Sequence, residues 1–229
     1  IDHLNKNDLD KAYELCDQNS DKKIKHIINN IKGVISLKKH KYKTAESEFL
    51  KSIKLDKNFI DPYKNLFKLN LKTENFKSAI ENGKRIIELD FQKNSISYFN
   101  LALAYDLNKD YKKAIETYKI VETLNFKEKK ILFNNMAKCF WGAREVNNAE
   151  NYYLKALEID QHDKLIINNL LILYLRIGEK DKIEQFYKKA ELIDENYIEF
   201  KLNKSDYFLF RDKIEKAIEL LKSIIEDPK

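Results

Sequence analysis

Apolar residues return along this chain at steps of three and four, with charged and polar residues between them. That is the period of a helix buried along one stripe. The clearest stretch reads Tyr98-x-x-Leu101-Ala102-x-x-Tyr105, then Asn108-Lys109-Asp110, then Tyr111-x-x-Ala114-x-x-x-Tyr118-x-x-Val121. It predicts two amphipathic helices joined by a short turn, the first over the segment that begins at Ser95 and the second ending before Glu128.

The same pattern recurs. Ala45, Ala79, Ala114, Ala149, Ile183 and Ala217 follow one another at 34, 35, 35, 34 and 34 residues, and four positions after each comes Phe49, Gly83, Tyr118, Tyr153, Tyr187 or Leu221. A period of this length means one helical hairpin stacked on copies of itself. The repeats are placed at 26–59, 60–93, 95–128, 130–163 and 164–197, with a weaker terminal copy at 198–229 and a partial one at 1–25, where Leu9, Ala12 and Cys16 mark a second helix without its first. Alanine at the shared column lets two helices approach closely without the helix penalty of glycine. Gly83 stands where the other copies carry a bulky residue, which predicts looser packing in repeat 60–93. Asp61-Pro62 reads as a helix start, with Asp as the cap and Pro at the first helical position.

The order of large residue, Leu with a small neighbour, Tyr, then Ala, then an aromatic resembles the tetratricopeptide repeat (TPR) family. The resemblance covers nearly the whole chain and implies an all-α, right-handed α-solenoid (superhelix) of about six and a half helix-turn-helix repeats, read as a single solenoid over 1–229. It departs from the family where proline would end each repeat: Lys57, Phe91, Phe126, Gln161 and Glu195 stand there.

Composition agrees with helices and narrows the chemistry. Four Gly and two Pro in 229 residues are too few for a turn-rich β fold. The net charge of +6 arises from 43 basic and 37 acidic residues interleaved along the chain, which reads as solvated helix faces rather than a nucleic-acid footprint. Two distant cysteines and four scattered histidines show no disulfide framework or metal-ligand spacing, so no metal and no cofactor are expected. A reducing, cytoplasmic setting is the expectation from cysteine usage. No apolar run reaches the ~20 residues of a membrane span. Residue 1 is Ile and the first repeat is entered midway, so a segment of a longer protein is expected. With no phosphate loop, nucleophile elbow or clustered His, the segment itself is expected not to be an enzyme.

The resemblance implies that the first helix of each repeat lines a concave groove that binds a peptide. One column on that helix is Asn65, Asn100, Asn135, Asn169 and Asn203, spaced 35, 35, 34 and 34. Carboxamides both donate and accept, so such a column can pair with the backbone of an extended ligand. It resembles the asparagine ladder of the O-linked N-acetylglucosamine transferase repeat region; the competing reading is solvated or interhelical Asn. Lys64, Lys68 and Lys72 form a basic stripe at four-residue steps, which Lys138 and Arg176 extend, and favour an acidic ligand over an ordinary charged face only as one of two readings. Phe99, Leu103, Leu107, Trp141, Ile172, Leu175 and Leu209 are expected on the groove face, with Trp141 as a ligand anchor or as packing against the next repeat. A complete carboxylate clamp of the chaperone-tail type is not met: Lys64 and Asn100 fit it, but Lys68, Ile131 and Asn135 do not.

The expected function is a non-catalytic protein-protein interaction scaffold that binds a protein or peptide segment in its groove. The alternative is a substrate-recruiting arm of a larger glycosyl- or sulfotransferase. Self-association through terminal repeats, where Tyr207-Phe208-Leu209-Phe210 is apolar, is a further expectation.

Overall fold

A computed structural model describes residues 6–18, 21–192 and 198–226, so the predicted repeat ends at residues 197 and 229 lie outside the described residues. Among those described there are 13 helices and no strand. They are α1 (Lys6–Gln18), α2 (Lys25–Lys38), α3 (Tyr42–Leu55), α4 (Ile60–Lys72), α5 (Phe76–Leu89), α6 (Ser95–Leu107), α7 (Tyr111–Thr123), α8 (Lys129–Gly142), α9 (Val146–Ile159), α10 (Lys164–Ile177), α11 (Lys180–Ala190), α12 (Ile198–Phe210) and α13 (Ile214–Glu226). The fold is an all-α helical repeat. The chain forms two compact units, Ile1–Phe126 and Lys127–Lys229.

Within the first unit, α2 pairs with α3, α4 with α5 and α6 with α7, and each second helix also meets the next first helix, α3 with α4 and α5 with α6. The second unit repeats the scheme with α8–α9, α10–α11 and α12–α13, joined through α9–α10 and α11–α12. The alanine column explains how. Ala45, Ala79, Ala114, Ala149, Ile183 and Ala217 are all fully buried. Phe49, Tyr118, Tyr153 and Tyr187, one helical turn further on, are buried around the same crossings. Fully burying such side chains contributes about 1.5–3 kcal/mol each, which is what holds a hairpin that would be marginal alone.

Each hairpin turns in one way. His40, Glu74, Lys109, Arg144, Gly178 and Asp212 have left-handed backbone, one per turn at steps of 34 or 35 residues. The residue after each sends its N–H back to the last turn of the first helix, as Asn75 does to the Asn70 carbonyl and Glu145 to that of Phe140. This closure satisfies helix-end carbonyls that would otherwise lack partners. Glycine is the usual residue there, but only Gly178 supplies one.

Two local expectations change. Gly83 does not loosen its repeat: it is buried, and a Cβ added there would come within 3.0 Å of Leu101 Cδ1 and 3.2 Å of Phe67 Cε2. Large neighbours have moved into the space an aromatic side chain would fill. Helix α4 begins at Ile60, so Phe59 and not Asp61 precedes it, and Pro62 sits within the first turn, where a missing N–H costs nothing.

Candidate ligand-binding face of the first helices

The asparagine column lies on the first helices, and three of its members bridge neighbouring repeats. Asn65 Nδ2 donates to Asn30 Oδ1 at 2.9 Å, Asn169 Nδ2 to Asn134 Oδ1 at 3.1 Å, and Asn203 Nδ2 to Asn168 Oδ1 at 2.7 Å. Every bridge spans 35 residues. Its acceptor is the residue just before the column position in the preceding repeat. The interhelical reading of the column therefore holds for these three. Each bridge uses one amide N–H and leaves the second N–H and the carbonyl of the donor side chain outside it.

Asn100 and Asn135 are half-buried and make no side-chain hydrogen bond among the described residues.

Lys64, Lys68 and Lys72 are all exposed on α4. Lys72 Nζ lies 5.2 Å from the centre of the Tyr42 ring, a cation–π contact. Lys64 and Lys68 meet no acidic side chain among the described residues. In the second unit Lys138 is likewise exposed and unpaired, whereas Arg176 faces Asp206 at 3.6 Å. The basic stripe thus divides into free and engaged members.

The apolar candidates divide as well. Phe99 stacks on Phe126 with ring centres 4.7 Å apart and meets the Tyr118 ring edge-on at 5.6 Å, so it packs its own repeat. Leu107 and Leu209 are exposed. Trp141, Leu103, Ile172 and Leu175 are half-buried. Sequence reasoning missed a further column: Ile27, Ile96, Ile131 and Leu165, each four residues before the asparagine position and each exposed. Its signal was the same 34–35 step, hidden because a second-position apolar residue reads as part of the core stripe.

No three-member group of His, Cys, Asp or Glu among the described residues is placed to hold a metal ion. No helix among them is long and apolar enough to cross a membrane.

Comparison with known proteins agrees with this architecture. Residues 96–127 and 132–163 each match the tetratricopeptide repeat model. No curated protein matches the chain. Among solved structures, PilF of Pseudomonas aeruginosa is 16% identical with a TM-score of 0.63, over 94% of this chain and 93% of that one. MamA is 20% identical with a TM-score of 0.66, over 73% and 90%. YrrB, described as a TPR protein with an unusual peptide-binding site, is 20% identical with a TM-score of 0.56, over 79% and 93%. Residues 96–127 and 132–163 are thus similar in sequence to tetratricopeptide repeats, and the other hairpins share the helical-repeat fold.

Proposed function

We propose that this chain is a non-catalytic interaction module that binds a peptide segment along the exposed face of its first helices. The fold supplies the class of surface: parallel rows of side chains on successive first helices, rigidly spaced by the repeat. In the first unit the ligand is an acidic segment with apolar neighbours. The observation that carries this reading is Lys64, Lys68 and Asn100, three polar groups on α4 and α6 whose side chains have no partner among the described residues. Exposed Ile27 and Ile31 on α2 and Ile96 and Leu107 on α6 flank them. Charge complementarity of this kind chiefly sets association rate and partner choice, while apolar anchors hold the complex. In the second unit, Trp141, with exposed Ile131 on the same helix, provides such an anchor.

The test is fluorescence anisotropy with a labelled peptide carrying alternating Glu and Leu, against its Gln counterpart. The acidic peptide should bind more tightly and lose affinity with salt. Lys64→Glu/Lys68→Glu should abolish the preference. Equal binding of both peptides by the unaltered protein overturns the acidic reading; no binding of either overturns the module's proposed use of this face.

A further inference from the structure

Tyr63 of α4 lies in a cradle built from its own hairpin and the second helix before it. Its hydroxyl donates to the Lys57 carbonyl at 3.1 Å, and the guanidinium carbon of Arg85 on α5 lies 5.9 Å from the centre of its ring. Leu50 and Ile53 of α3 line one groove with Tyr63 and Arg85. The pairing of ring and cation recurs in the second unit, where Lys155 Nζ lies 5.8 Å from the centre of the Phe133 ring, at the same two positions of the repeat.

Hairpin α10–α11 keeps the cradle and changes the ring. Ile167 stands at the position of Tyr63, Lys189 at that of Arg85, Leu154 and Leu157 at those of Leu50 and Ile53, and Gln161 at that of Lys57. Asn29 of α2 and Lys201 of α12 also interrupt the aromatic row, but with polar side chains; α10 does so with an apolar one. The loops that carry Lys57 and Gln161 share one backbone. Asp56 has φ −143° and ψ 105°, Asp160 has φ −145° and ψ 96°, and each carboxylate accepts the N–H two residues on, from Asn58 at 2.9 Å and from His162 at 3.3 Å. The Gln161 carbonyl is therefore presented as that of Lys57 is, and it accepts no hydrogen bond among the described residues. Leu154, Leu157, Gln161, Ile167, Lys189 and Leu192 line a pocket of about 490 Å³. Leu157 and Ile167 are buried in it, and Leu154 and Leu192 are exposed. With no ring at position 167, Lys189 Nζ lies 4.9 Å from the centre of the Phe186 ring instead.

We infer that this pocket receives a tyrosine side chain from a partner polypeptide, in the way that the equivalent groove holds Tyr63. The apolar walls take the ring, Lys189 faces its negative π surface, and the Gln161 carbonyl accepts from its hydroxyl. An apolar pocket with a cation and one convergent acceptor is complementary to a phenol in charge as well as in shape. A phenylalanine ring fits the same walls, but it displaces water from the carbonyl without replacing the bond. None of the lining residues belongs to the peptide face proposed above, so the two readings fail or stand separately.

Titration of the full chain, followed by NMR, with N-acetyl-tyrosine methylamide, its phenylalanine counterpart and p-cresol tests the inference. The tyrosine amide should bind saturably, about three- to tenfold more tightly than the phenylalanine amide. Ile167→Tyr supplies the ring from within, so it should raise the thermal midpoint and abolish binding of the tyrosine amide. Lys189→Ala alters an exposed position and should weaken that binding about two- to fivefold, which keeps the test open if the first variant does not fold. Equal binding of the two amides overturns the phenol reading, and binding of p-cresol alone overturns a polypeptide as the source. Failure of all three probes to bind, or undiminished affinity in the folded variants, overturns the site itself.

Discussion

The side-chain amide of Asn203 donates to the side-chain oxygen of Asn168 across two repeats at 2.7 Å, and both residues are buried, at 8% and 2% exposure. Removing the donor leaves a buried acceptor with nothing to replace it. Asn203→Ala should therefore cost about 1–3 kcal/mol in urea unfolding. Asn100→Ala breaks no bridge and should change stability by less than about 0.5 kcal/mol. Equal costs for the two variants would show that the bridges do not distinguish members of the column.

Gly33 sits against the ring of Phe49, which is fully buried, and a Cβ at that position would lie well inside van der Waals contact with Phe49 Cε1 and Cδ1. Alanine gains about 1 kcal/mol of helix propensity over glycine. Forcing a core ring aside costs about 1–3 kcal/mol, which outweighs it. Gly33→Ala should thus lower the denaturation midpoint. The equivalent change at Gly83 meets a leucine methyl group at 3.0 Å, a softer obstacle, and should be the milder of the two.

Trp141 is the sole tryptophan in the sequence and is half-buried on α8, so its emission reports on one place in the second unit. A bound peptide that covers the indole should shift its emission to shorter wavelength. Trp141→Ala should weaken peptide binding by about 1–2 kcal/mol, roughly five- to thirtyfold, with circular dichroism unchanged. An indole that is indifferent to a saturating ligand would assign Trp141 to packing alone.

Glu150 accepts hydrogen bonds from Lys182 Nζ at 2.6 Å and Tyr174 Oη at 2.8 Å. Burial acts to raise its pKa, but the bonds from Lys182 and Tyr174 outweigh that and hold the carboxyl below its ordinary value of 4.5. A depressed carboxyl pKa stabilises the fold above the unfolded value, and the contribution is lost as pH falls through the folded one. The denaturation midpoint should therefore drop on acidification below about pH 4.5, and Glu150→Gln should remove part of that slope while lowering stability at neutral pH. A variant with the full acid slope would place its origin elsewhere.

Much of this could be read from the chain itself. The step from Ala45 to Ala217 is visible in one dimension because each repeat needs a small residue at the same crossing, and the fold follows from that need. The positions of Asn65 to Asn203 were equally legible, since they keep phase with the alanines. Their partners were not, because a bridge from Asn65 depends on whether residue 30 of the preceding repeat is an acceptor, and sequence alone does not say which rows stand opposite. The stacking of Phe99 on Phe126 was hidden for the same reason, since the distance between side chains on separate elements is set by packing. The linear order of residues thus determined the hairpins, their period and the face on which candidates lie. Only the tertiary structure decided which of those polar groups satisfy one another and which are left to meet a ligand.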